Sequence, residues 1–100
     1  MSIEYIAPVE LTTVEATQLR SWLSEANEYA LLPSAGDKLL KLRFASPLPR
    51  ETWPDDIEIW IENPLRVVVH SSTRQQRTDL LELLQRLLGK LGHNVPFHED

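Results

Sequence analysis

Ile57-Glu58-Ile59-Trp60-Ile61-Glu62 alternates isoleucine with an acid, a tryptophan and a second acid. Side chains on a strand point to opposite faces in turn, so Ile57, Ile59 and Ile61 are expected in a core, with Glu58, Trp60 and Glu62 on the other side. A large aromatic between carboxylates on the outside of a sheet suggests a docking surface rather than a chemical site.

The next strand can be registered against this one by parity. Leu65, Val67 and Val69 are its core candidates, and directly opposed residues of antiparallel strands share a face. A two-residue loop at Asn63-Pro64 would set Ile61 opposite Arg66 and break the rule. A three-residue loop satisfies it in either of two registers. One pairs Glu62 with Arg66, Trp60 with Val68 and Glu58 with His70, and it gives the better charge pairs. The other slips by two residues and sets Ile61 opposite Leu65. In both, the outer face collects Glu58, Trp60, Glu62, Arg66, Val68 and His70.

Working outward, Ile3 to Ala7 reads as a short strand ended by Pro8. Thr12 followed by Glu15 is a capping-box pattern that opens a helix over about 13–29, with Ala16, Leu19, Trp22, Leu23, Ala26 and Ala30 in one sector. Pro33, Gly36 and Asp37 mark a turn, and Lys38 to Phe44 alternates Leu40, Leu42 and Phe44 against Lys41 and Arg43. A surface connection of about twelve residues with three prolines follows, in which Trp53 is expected to fold back over the core edge. Ser72 or Thr73, with Gln75 or Gln76, caps the longest helix, which Gly92 stops. Its seven leucines from Leu80 to Leu91 fill less than half the helical circumference and are needed as core. Asn94 to His98 reads as an edge strand burying Val95 and Phe97, with Glu99 and Asp100 frayed.

The order is β-α-β-β-β-α-β. This predicts one α/β (α+β) domain over residues 1–100, a two-layer sandwich with both helices on one face of a mixed four- or five-stranded sheet, related to the ferredoxin-like arrangement.

Composition narrows the function. Ten basic and fifteen acidic side chains give a net charge of -5, which repels nucleic acid and anionic lipid and favours a partner with a basic surface. No cysteine is present, which excludes disulfides and thiolate chemistry. The start Met1-Ser2-Ile3-Glu4-Tyr5 lacks a signal-peptide pattern, and no apolar run approaches the roughly 20 residues of a membrane span, so a cytoplasmic location is expected. His70, His93 and His98 stand in no catalytic spacing, and His93 and His98 with Glu99 and Asp100 match no standard metal motif. The glycines at 36, 89 and 92 form no phosphate loop. Glu58 and Glu62 lie too far apart along a strand for an acid/base pair. No enzyme activity, cofactor or metal is expected.

In size, acidity, lack of cysteine and two-helix plan, the whole chain resembles the small immunity proteins that bacteria make beside their secreted toxins. That resemblance implies inhibition of a cognate toxin by blocking its active site, with carboxylates standing where phosphates would sit if the toxin is a nuclease. It rests on no motif and carries over no residue. By position in this sequence, Asp55, Asp56, Glu58, Trp60 and Glu62, joined on the outer face by Arg66 and His70, are the expected partner contacts. A phage-encoded or effector-associated inhibitor or chaperone would share these features. Other readings are a small α/β-sandwich enzyme or ligand-binding protein with its site near His70, and a homodimer formed through the open sheet; monomer and homodimer both remain open.

Overall fold

A computed structural model of the protein describes residues 2–33, 36, 38–45, 56–70 and 72–100. The chain runs β1 (Ile3–Ala7), α1 (Thr13–Glu25), β2 (Tyr29–Leu32), β3 (Leu39–Phe44), β4 (Ile57–Trp60), β5 (Leu65–Val69), α2 (Arg74–Lys90) and β6 (His98–Glu99). The strands form one sheet in the order β2-β3-β4-β5-β1-β6.

The α/β two-layer class stands, with differences in the sheet. It has six strands rather than four or five, and every neighbouring pair is antiparallel rather than mixed. Setting β2 and β3 aside, the chain is β-α-β-β-α-β with each crossover straddling one strand: β5 lies between β1 and β4, and β1 between β5 and β6. That is the ferredoxin-like plan, widened at the β4 side by the β2–β3 hairpin.

The extra strand comes from the tail expected to be helix. α1 stops at Glu25 with Ala26 as its cap, and a turn in which the Tyr29 N–H donates to the Ala26 carbonyl at 3.3 Å redirects the chain. Tyr29 and Ala30 continue a helical spacing, but Tyr29 and Leu31 stand opposite Phe44 and Leu42, where a strand buries them against β3. Tertiary pairing overrides the local pattern.

Both helix starts are made as their sequences dictate. The Glu15 N–H donates to Thr12 Oγ1 at 3.1 Å while the Thr12 N–H donates to Glu15 Oε1 at 3.0 Å. Thr73 and Gln76 repeat the exchange at 3.1 and 2.8 Å. Each box satisfies two otherwise orphaned donors. Gly92, at φ +90°, follows the C-cap Leu91 in the left-handed region that closes helices.

One core lies between the sheet and both helices. Ile57, Ile59, Leu65, Val67, Leu40 and Leu42 supply its sheet side, and Leu19, Leu23, Leu80, Leu84 and Leu88 its helix side, all of them essentially inaccessible. Of the leucine stripe of α2, Leu80, Leu84, Leu87 and Leu88 are internal, and Leu81 and Leu83 pack partly buried against the core. Among the described residues no helix is long and apolar enough to cross a membrane.

The chain end also departs from expectation. The strand is His98–Glu99, not Asn94 to His98, and the terminal residues are paired rather than frayed: Tyr5 faces Glu99, and the Asp100 N–H donates to the Glu4 carbonyl at 2.9 Å. Val95 and Phe97 do pack partly against the core. Pro96 lies before the strand, where its missing N–H breaks no ladder bond. Trp53, the connection around it and Asp55 lie outside the described residues.

Candidate functional site

The helices cover one face of the sheet, and the other face carries the acid-tryptophan-acid strand. Registration of the six described strands sorts its side chains into two transverse rows, each crossing five of them. Leu39 faces Trp60, Trp60 faces Arg66, Arg66 faces Ile6 and Ile6 faces His98. The neighbouring row runs Leu32, Lys41, Glu58, Val68 and Glu4. At roughly 4.8 Å per strand, each row is about 19 Å long. Trp60 is second in the first row, half-buried between Leu39 and the central Arg66.

The hairpin adopts the slipped register, with Trp60 opposite Arg66 and Glu58 opposite Val68. The charge pairs that favoured the other register form nonetheless. Arg66 reaches Glu62 at 3.3 Å and Glu4, on β1, at 2.9 Å. Glu58 Oε1 lies 2.7 Å from His70 Nε2. Long side chains reach diagonal neighbours on one face, so charge complementarity does not choose between registers two residues apart.

Two expected contacts are drawn inward. Asp56 is 8% exposed, and its Oδ2 accepts the buried Phe44 N–H at 2.8 Å. Its backbone N–H donates to the Leu42 carbonyl and its carbonyl accepts the His70 N–H, so this residue clamps β3, β4 and β5 at one end. His70 is 6% exposed, held between Glu58 and Ser2, whose Oγ lies 2.9 Å from Nδ1. With an Nε2–H donating to the Glu58 carboxylate, Nδ1 is left to accept from the Ser2 hydroxyl. Glu58, Trp60, Glu62 and Arg66 remain together on the accessible surface.

Hydroxyl, imidazole and carboxylate in line form the connectivity of a nucleophile-base relay. A cavity of about 490 Å³ among the described residues is lined by none of the three. It opens instead on the helix side, between the first half of α1 and the adjoining ends of β3 and β4, where Thr13, Ala16, Thr17 and Arg20 face Lys38 and Ile61. Sequence reading missed this groove. The available signal was the run of short side chains on α1, where the helix's second half carries Leu19 and Leu23.

A second histidine-acid pair joins the helices. His93 Nε2, after α2, lies 2.6 Å from Glu15 Oε2, whose other oxygen is in the α1 capping box. The Thr12 backbone bond and then the His93 bond hold the Glu15 carboxyl below its ordinary range. Burial pushes the Tyr29 phenol up to about 12, helped by the charges of Glu28 and Asp79. Among the described residues, no three histidine, aspartate or glutamate side chains group so as to hold a metal ion.

In comparison with known proteins, no family model, curated protein or solved structure matches the chain.

Proposed function

We propose that this protein is a non-catalytic binding module that engages another protein through the outer face of its sheet, with Trp60 as the centre of the contact. The observation that carries this reading is the row Leu39-Trp60-Arg66-Ile6-His98, a continuous side-chain band on the face the helices leave uncovered. A half-buried tryptophan beside an arginine is the residue pairing from which interface hot spots are built. Both residues are held by cross-strand neighbours, so little side-chain freedom is lost on docking. Glu4 and Glu62 already engage Arg66, so the face meets its partner as a mixed surface; the chain's net charge of -5 favours a basic partner and fast encounter.

The specific form is an immunity-type inhibitor, a small acidic domain that neutralises a partner protein by covering its active site. Size, charge and the two-helix plan support it. Affinity capture from the native cells tests both levels, comparing the wild type with Trp60→Ala and Leu39→Ala, and using Val14→Ala on the exposed side of α1 as control. A basic partner retained by the control and lost by both face variants supports the module, and inhibition of that partner's activity by the purified chain supports the immunity form. Equal capture by all four proteins sinks the face.

The Ser2-His70-Glu58 chain favours a second reading, a small hydrolytic site on the same face. Turnover of an activated ester such as p-nitrophenyl acetate, lost in Ser2→Ala and His70→Ala, would establish it. Rates equal to those of the variants would dismiss it.

A further inference from the structure

The groove on the helix side is separate from the Trp60 row, meeting the outer face only at Glu62, and has its own chemistry. Its wall is one stripe of α1, positions 13, 16, 17 and 20, spaced so that they line a single side of the helix. Thr13, Ala16 and Thr17 present short side chains to a groove whose floor carries Leu40 and Ile61. A protein interior closes gaps of this kind with leucine or methionine. Here the short residues keep a space of about 490 Å³ open, within the range of small-molecule sites.

Its charges are arranged asymmetrically. Among the described residues Arg20 and Lys38 engage in no ion pair, and both line the groove. Lys38 is held at the floor edge by its own backbone, since its carbonyl accepts the Ile61 N–H at 2.7 Å. Of the two acids among the described lining residues, Glu62 is engaged by Arg66 and Glu10 is exposed to solvent, where its field is weakened by water. In a chain with five more acids than bases, this groove sets two cations that engage in no ion pair among the described residues beside an apolar floor.

We propose that this groove binds a small organic acid, with its carboxylate between Arg20 and Lys38 and an apolar body of about a dozen heavy atoms over Leu40 and Ile61. The Thr13 hydroxyl on the α1 wall can donate to the same carboxylate, whereas the Thr17 hydroxyl donates to the Thr13 carbonyl at 2.9 Å. Trp60 plays no part in this binding.

Titration of the full chain with 2-naphthoate, followed by the methyl resonances of Leu40 and Ile61, tests the assignment. The expected result is saturable binding, with a Kd of roughly 0.1–1 mM for a ligand of this size, and shifts centred on those methyls. Arg20→Gln combined with Lys38→Gln should weaken binding about tenfold or more. Glu10→Gln should tighten it, because the like charge on the lining is removed. Thr17→Met, at an exposed position on the rim, should block the site while the amide spectrum elsewhere stays unchanged. No saturable binding up to about 5 mM, equal affinity for uncharged 2-naphthalenemethanol, or shifts centred on Trp60 instead of Leu40 and Ile61 would each overturn the proposal.

Discussion

Glu58 stands directly opposite Val68, yet its carboxylate is bonded at 2.7 Å to the ring of His70, one diagonal step further along β5. The diagonal satisfies a nearly buried imidazole without using the direct cross-strand position. On the same face Arg66, opposite Trp60, finds its acids at Glu4 and Glu62.

These two pairings should differ sharply in their effect on stability. Glu58→Ala leaves the His70 ring without its carboxylate partner in an inaccessible position, at a cost of about 1–3 kcal/mol. Glu62→Ala removes an exposed ion pair with side chains 43–44% accessible and should cost under about 1 kcal/mol. Urea unfolding of both variants checks the order; equal losses would contradict the contrast.

Asp56 is a structural clamp, so its removal should be felt in folding. Asp56→Ala orphans the buried Phe44 N–H, with an expected loss of about 1–3 kcal/mol. Asp56→Asn keeps an oxygen acceptor and should recover much of that loss. Hydrogen exchange at the Phe44 amide reports the site directly, fast in the alanine variant and slow in the asparagine variant.

The Glu15 carboxyl is depressed by the Thr12 backbone bond and by His93. A carboxyl with a lower pKa in the folded than in the unfolded state contributes stability above the unfolded value, near 4.5, and loses it as pH falls through the folded value. The wild type should therefore lose more of its melting temperature between pH 6 and pH 3, as rough end points, than Glu15→Gln does. Parallel pH profiles for the two proteins would remove Glu15 as a cause of acid sensitivity.

Tyr29 carries the opposite shift at the alkaline end. Its phenol, pushed up to about 12 chiefly by burial, stays neutral in the fold at pH values where the unfolded chain ionises. Stability from this group is complete below about 10 and declines as pH rises toward 12. Tyr29→Phe should flatten that part of the stability profile, and ultraviolet titration of the folded wild type should show a tyrosine ionising late.

Much of the architecture was legible from local rules. Alternation at Ile57-Ile59-Ile61 and Leu40-Leu42-Phe44 predicted their burial because a strand has no freedom to turn alternate side chains the same way. Thr12 with Glu15, and Thr73 with Gln76, are boxes completed within four residues. The α2 stripe is core because two helices must cover a wide sheet. Less of the candidate site was legible. Trp60, Glu58, Glu62 and Arg66 were placed on one face correctly, whereas Asp56 and His70 read as surface charges until their partners, the buried Phe44 N–H and the Ser2 hydroxyl, came from distant parts of the chain.

The sequence alone determined which side of each central strand is apolar, where both helices begin, and that one acidic domain with a tryptophan on its outer sheet face would result. Tertiary structure decided the hairpin register, the conversion of Tyr29–Leu32 from helix tail to strand, the docking of Glu99 beside Tyr5, and the groove under α1. The physical reason is the range of the interactions. Faces and caps depend on neighbours a few residues away. A two-residue slip changes no face, and an edge pairing or an unfilled space depends on what the rest of the chain brings alongside.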